Sequence, residues 1–396
     1  MIAFALAASL IVPAVVPSVP AGEARVAEGN TDFAFALYQR LAGESPKGNL
    51  FLSPYSISSA LAMTYAGARG PTAAEMASVL HFGRDADALH SSFSRLREQL
   101  ASPADNSFEL AVANRLFPAK GFQLLDSFVA LARDRYAAPV EQLDFAGATE
   151  ASRQRINSWV AGQTHDRIRD LLTQGVIDAD TAMVLVNAIY FKGVWQQQFD
   201  KRATGKMAFS SQGKTLNVPF MTGTVKDASY GEVDGVQLLE LPYKGGQLSM
   251  LVALPEGIDG LAKLEGSLTR DRLDAWLRAL APGKVQVYLP KYKLESRFEL
   301  GKTLQPMGMK LAFGAADFSG MAKQGALAIT RVIHKAFVEV NEEGTEAAAA
   351  TAVIMSRSPE APRLPVFRAD HPFLFAIRHN PSGSILFLGR VVDPRG

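Results

Sequence analysis

Cysteine is absent from all 396 residues, which excludes disulfides, a thiolate nucleophile and cysteine metal ligands together and leaves the redox compartment open. A surplus of one charge is also missing. The 41 basic and 39 acidic residues leave a net charge of +2 and are spread evenly, so no basic field exists for nucleic acid or an anionic membrane. The six histidines, at 81, 90, 165, 334, 371 and 379, show neither H-E-x-x-H nor any paired spacing, and no G-x-S-x-G elbow occurs. Neither a metal, nor another cofactor, nor a nucleophilic enzyme centre is expected from this pattern. Beyond the N-terminus no apolar run is long enough to span a membrane; those at 182–191, 248–254 and 385–392 suit strands buried on both faces.

Hydrophobic residues make up 48% of the chain, enough for a large core. The first residues, MIAFALAASLIVPAVVPSVPAGEA, are apolar from Ile2 to Val16 and offer Val19-Pro20-Ala21 as a small-residue cleavage site, although no Lys or Arg precedes Arg25. A secretory signal over residues 1–21 and a secreted or periplasmic protein are expected, with a membrane anchor or a tail as alternatives.

The first half is helical in pattern. Phe33, Leu37, Tyr38 and Leu41 mark an amphipathic helix, Ser53-Pro54 opens another through Met63, and Thr72-Ala-Ala-Glu75 reads as a capping box. Further helices fit 126–136 and 151–160. After Thr181 strand patterns dominate, with helices expected at 269–280 and 298–307. Val285, Val287 and Leu289 alternate with polar neighbours, and Val332, His334, Ala336, Val338 and Val340 share one face of a strand. Gly213-Lys214-Thr215 and Gly301-Lys302-Thr303 resemble the end of a phosphate loop, but Ala208 and Ser296 stand where its first glycine belongs, so both are expected to be turns. Without a repeat, a long linker or a break in composition, one α+β domain is expected over 31–394.

Two polar side chains sit in apolar strands. His334 and Asn187, the latter inside MVLVNAIYF, each need a buried partner, and pairing with one another or with Ser53 and Ser56 would satisfy them. The stretch NEEGTEAAAATAVIMSRSP, residues 341–359, has no settled preference: its alanines favour helix, Thr351, Val353 and Ile354 favour strand, and its end favours loop.

Ordered motifs now accumulate: NLFLSPYSISSALAMTYAGARG from Asn49, LVNAIYFKGVW from Leu185, LELPYKGGQLSMLVALP from Leu239, the stretch from Val338 through Ala350, and HPFLFAIRHNPSGSILFLGRVVDP from His371. In these the chain resembles the serpins, the serine-protease-inhibitor superfamily, over about 31–394, as an inhibitory member of bacterial and secreted type. The resemblance implies three β-sheets with about nine helices and an exposed reactive loop, residues 342–365, that baits a protease. The partner is then a target serine protease, held in a covalent complex by a monomeric inhibitor after the cleaved loop enters the central sheet. The alternative within the fold is a non-inhibitory carrier, chaperone or storage protein.

The resemblance also assigns residues. Glu342, Gly344, Thr345, Glu346, Ala347, Ala348, Ala349 and Ala350 match the hinge; Ser53, Ser56, Asn187 and His334 match the shutter beneath the central strands; Trp195, Lys291 and Glu342 match the breach at the top of the sheet. As a strand, the segment would place Thr345, Ala347, Ala349, Thr351 and Val353 on one uncharged face with no large side chain, fit for burial, and Glu346 on the other. Counted from Glu342, the family's usual spacing puts Ser358 before the scissile bond, where Pro359 would obstruct most serine proteases. Arg357-Ser358 is the preferred reactive bond, because a guanidinium fits an acidic specificity pocket; Met355-Ser356 is an alternative suited to elastase-like or subtilisin-like enzymes.

Overall fold

The computed structural model describes residues 21–101, 107–323, 327–345 and 364–396. In chain order its elements are α1 (Ala21–Glu44), β1 (Leu50–Leu52), α2 (Pro54–Tyr65), α3 (Gly70–Val79), α4 (Ala86–Gln99), β2 (Phe108–Pro118), α5 (Asp126–Tyr136), α6 (Thr149–Gln163) and β3 (Met183–Val194). Then follow β4 (Gly205–Ser211), β5 (Lys214–Val233), β6 (Val236–Pro242), β7 (Leu248–Pro255), α7 (Leu261–Gly266), α8 (Arg270–Ala279), β8 (Ala281–Pro290), β9 (Tyr292–Glu299) and α9 (Gly301–Leu304). The chain closes with β10 (Arg331–Asn341), β11 (Gly344–Thr345), β12 (Val366–Arg368), β13 (Phe373–His379) and β14 (Ile385–Val391).

Nine α-helices among the described residues surround two hydrogen-bonded sheet networks. The central one runs β2-β3-β11-β10-β9; the larger runs β1-β14-β13-β7-β6-β5-β8-β12, with β4 on β5. The expected three sheets are counted as two networks because β5, 20 residues long, pairs with β8 from Phe220 through a register shift between Val225 and Ala228 and then also with β6 from Ser229. β3 is apolar from Met183 to Phe191 apart from Asn187, because both its faces are buried. Leu185, Ile189 and Phe191 join the main core between the two networks, while Val184, Val186 and Tyr190 pack with Ile156 and Val160 of α6 on the outer side.

Several local expectations change. Thr72 and Glu75 lie inside α3 and do not cap it; Thr72 accepts the Asp317 N–H and Glu75 accepts those of Lys310 and Leu311, so both tie down a neighbouring segment. Phe298 belongs to β9 and not to a helix, since the long partner strand β10 holds it in register opposite His334; helix resumes only as α9. Gly213 does form the β4–β5 turn, whereas Gly301-Lys302-Thr303 lies in α9. β2 interrupts the helical first half, where no strand was expected.

Candidate functional site

Two parallel strands, β3 and β10, form the middle of the central sheet. They pair directly from Val184↔Arg331 to Tyr190↔Phe337, and above that point β11 lies between them. β11 is antiparallel to both: Thr345 is registered with Val340 and Gly193, and Gly344 with Asn341 and Val194. The sheet is thus parted at its upper end and occupied by the first two residues beyond the turn that follows β10.

Glycine is required at the first of these. Gly344 has φ of +148°, and a Cβ there would meet the Gly193 carbonyl oxygen at 2.0 Å. Thr345 is fully buried, its hydroxyl 2.8 Å from that of Tyr243, and the Tyr243 ring stacks on Trp195 with centroids 4.6 Å apart. Trp195 donates its indole N–H to Asn341 O at 3.0 Å, and the backbone N–H groups of Trp195 and Phe199 reach Glu343 O and Glu342 O at 3.0 and 2.8 Å. These contacts fix the turn on both sides.

The turn itself carries two buried carboxylates. Lys291 Nζ lies 2.9 Å from Glu342, which also accepts the Thr204 hydroxyl at 2.8 Å, and Lys201 pairs with Glu343. Burial would raise the Glu342 carboxyl, but the bonds from Lys291 and Thr204 outweigh it and hold it below its ordinary value. Glu342 is therefore ionised at neutral pH.

Lower in the sheet the four expected polar residues do come together, joined by a fifth. Phe298, His334, Asn187 and Asn114 stand opposite one another in register on β9, β10, β3 and β2. The Ser53 N–H donates to His334 Nε2 at 3.1 Å, so the ring proton sits on Nδ1 and is given to Asn187 Oδ1. Asn187 in turn donates to Ser56 Oγ at 2.5 Å and to Asn114 Oδ1, and Ser53 Oγ donates to Leu386 O at 2.6 Å while capping α2 through the Ser56 N–H. Complete burial lowers the His334 pKa to about 3, so the ring is neutral. Asn114 was not picked out from the sequence, although Leu110, Val112 and Leu116 at alternate positions mark it as a polar residue on an apolar face. The His334–Asn187 bond crosses the β3–β10 seam, and any further parting of these strands must break it.

A family model described as Serpin (serine protease inhibitor) matches residues 28–394. The chain is a serpin. Its description as a serine protease inhibitor places it with inhibitors and not with enzymes. Among curated relatives it is 44% identical to the leukocyte elastase inhibitor of Sus scrofa and 42% identical to that of Homo sapiens, with 93% of this chain covering 100% of each. Serpin B6 of Macaca fascicularis is 43% identical, with 93% of this chain covering 99% of it. Among solved structures, thyroxine-binding globulin with bound hormone superposes with a TM-score of 0.87 at 32% identity, covering 95% of this chain and 100% of its own. Uncleaved ovalbumin does so with a TM-score of 0.84 at 32% identity, over 93% and 100%.

These relatives overturn the expectation of a secreted or periplasmic serpin and lend no support to a signal over residues 1–21. They are animal leukocyte elastase inhibitors matched over their whole length, residues 1–27 of this chain fall outside the family match, and a bacterial source has no support among them. Glu346, Ala347, Ala348, Ala349 and Ala350 of the hinge, and both candidate bonds, Met355-Ser356 and Arg357-Ser358, lie outside the described residues.

Proposed function

We propose that residues 31–394 act as one monomeric inhibitor domain that traps serine proteases irreversibly, without a cofactor, using residues 342–365 as bait. The observation that carries this reading is β11. The start of this loop already occupies a strand position between β3 and β10, antiparallel to both, so the following small residues have a seam to open and continue along. The protease's serine oxygen attacks the carbonyl carbon of Arg357, the bond to Ser358 nitrogen breaks, and the new amine leaves with the proton. An ester now joins the protease to Arg357, at the end of a segment still continuous with β11 and no longer tied to Ser358. Insertion of 346–353 beside Thr345 draws the tethered protease away from its productive geometry before water completes the reaction.

Within this scheme Gly344 and Thr345 start the strand, Lys291, Glu342 and Trp195 hold its entrance, and the His334–Asn187–Ser56–Ser53 cluster resists premature parting lower down. Arg357 favours trypsin-like proteases through a charge-assisted contact in an acidic pocket. A second bond, Met355-Ser356, is favoured by the names of the relatives, which are leukocyte elastase inhibitors.

The test is incubation with trypsin and with leukocyte elastase, followed by denaturing electrophoresis and mass spectrometry of the released peptide. A denaturant-stable complex with trypsin and a new N-terminus at Ser358 is expected. One at Ser356 moves the reactive bond to Met355, and one at Pro359 moves it to Ser358. Cleavage by both enzymes without any stable complex would replace the inhibitor reading with that of a non-inhibitory carrier, chaperone or storage protein.

A further inference from the structure

Between the β5–β6 turn, the end of β7 and helices α7 and α8 lies a cleft of about 140 Å³. Its strand side carries two carboxylates. Asp234 sits in the turn with φ of +50°, followed by Gly235 at +72°, the left-handed pair of a two-residue hairpin. The Glu256 N–H donates to Gly235 O at 2.7 Å, and the Glu256 carboxylate lies so close that a Cβ on Gly235 would stand 2.9 Å from Oε2. The helix side carries two cations, Lys263 of α7 and Arg272 of α8. The Arg272 guanidinium lies 5.7 Å from the centroid of the Trp276 ring, and its Nε is buried without an acceptor.

None of these four charged side chains forms an ion pair among the described residues, although all line one space. Opposite charges that would neutralise one another in contact are held apart by a gap, and the gap has the size of a small molecule: a space near 150 Å³ admits about six to eight heavy atoms. Val236, Pro255 and Leu264, all buried, add an apolar surface to the lining. We propose that this cleft binds a free α-amino acid with a small aliphatic side chain, its carboxylate on Arg272 and Lys263, its ammonium between Asp234 and Glu256, and its side chain against Val236, Pro255 and Leu264.

The charge pattern selects this class. A guanidinium with an unused N–H takes a carboxylate in its fork, and an ammonium between two carboxylates relieves their mutual repulsion. A simple anion meets the repulsion of Asp234 and Glu256, and a simple amine that of Lys263 and Arg272. A peptide brings only one of the two charges at either end. A zwitterion answers all four groups at once. No lining residue belongs to the loop, to its entrance or to the polar cluster lower in the seam, so the site goes beyond the inhibitor reading and does not depend on it.

The test is saturation-transfer NMR on the full chain with L-valine as the probe. Saturable transfer to valine is expected. N-acetylvaline, which lacks the ammonium, and valinamide, which lacks the carboxylate, should each bind about tenfold more weakly, because each leaves two charged groups of the cleft unanswered. Lys263→Gln/Arg272→Gln should lose saturable transfer. Asp234→Asn/Glu256→Gln, in which asparagine keeps the left-handed turn, should bind N-acetylvaline as tightly as valine, a change of preference that a merely structural role would not produce. Should the Arg272 variant melt early, Lys263→Gln alone keeps the guanidinium beside Trp276 and should weaken valine about threefold.

Absence of saturable transfer in wild type, or equal binding of valine by wild type and by Lys263→Gln/Arg272→Gln, overturns the proposal. So does equal binding of valine and valinamide by wild type. Displacement of valine by an equal concentration of inorganic phosphate overturns it too, since the cleft would then be an anion site.

Discussion

His334 is neutral because it is enclosed, and its two nitrogens have opposite tasks: Nε2 accepts from the Ser53 backbone and Nδ1–H donates to Asn187. Burial likewise lowers His90 and His379 to about 4, against an ordinary value of 6.5. In the unfolded chain such rings take up protons as pH falls below about 6.5, while in the fold they resist until about 3 to 4. The unfolded state therefore binds more protons across that window, and stability present at neutral pH is lost as pH drops through it. Urea midpoints should be lower at pH 5 than at pH 7, and His334→Gln should shrink the difference; an undiminished drop in the variant would remove His334 from the account. Asn187→Ala is expected to cost about 3 kcal/mol in chemical denaturation, since it orphans His334 Nδ1–H and takes donors from Ser56 and Asn114, each such loss costing about 1–3 kcal/mol. An effect under about 1 kcal/mol would mean that water replaces the amide.

His334 and Asn187 were legible because a polar residue centred in an apolar strand must find a partner. Asn114 escaped because Arg115 beside it and the mixed burial of β2 blur the alternation. Thr72 and Glu75 have the spacing of a capping box, but spacing cannot tell which backbone a side chain will serve, and here it is a segment more than 200 residues away, at separations of 245 and 235.

At the scale of elements, β11 decides whether the loop has a starting point in the sheet. The small, uncharged face of 345–353 is readable from period-2 alternation, but the parting of β3 and β10 at the top is not, because it depends on Tyr243, Trp195 and Lys291 arriving from three other segments. Thr345→Arg would bury an unpaired guanidinium against Tyr243, and Gly344→Ala would drive a methyl into the Gly193 carbonyl. Both variants should remain folded and cleavable but consume several molecules per protease trapped, with Thr345→Arg the more severe and close to a pure substrate. The check is the stoichiometry of inhibition against trypsin, and a value near one for Thr345→Arg would show that entry does not proceed through this position. Helix α5 was legible to the residue because its apolar face is amphipathic and self-contained. The expected helix at 298–307 was not, because pairing with β10 overrides local propensity at Phe298.

For the whole molecule, the central sheet is closed along most of its seam by a parallel pair, β3 and β10, with β11 between them only at the top. β10 and β3 pair in parallel below β11, in a sheet otherwise antiparallel. On the mechanism proposed above, the intact fold is a kinetically held state, and cutting the loop would release it to a fully antiparallel sheet with more backbone hydrogen bonds and buried side chains. The most direct measurement is thermal unfolding of the protein before and after a verified cut between residues 346 and 359. The cut form should melt at a far higher temperature than the intact one; equal or lower melting after the cut would contradict insertion as the source of inhibition.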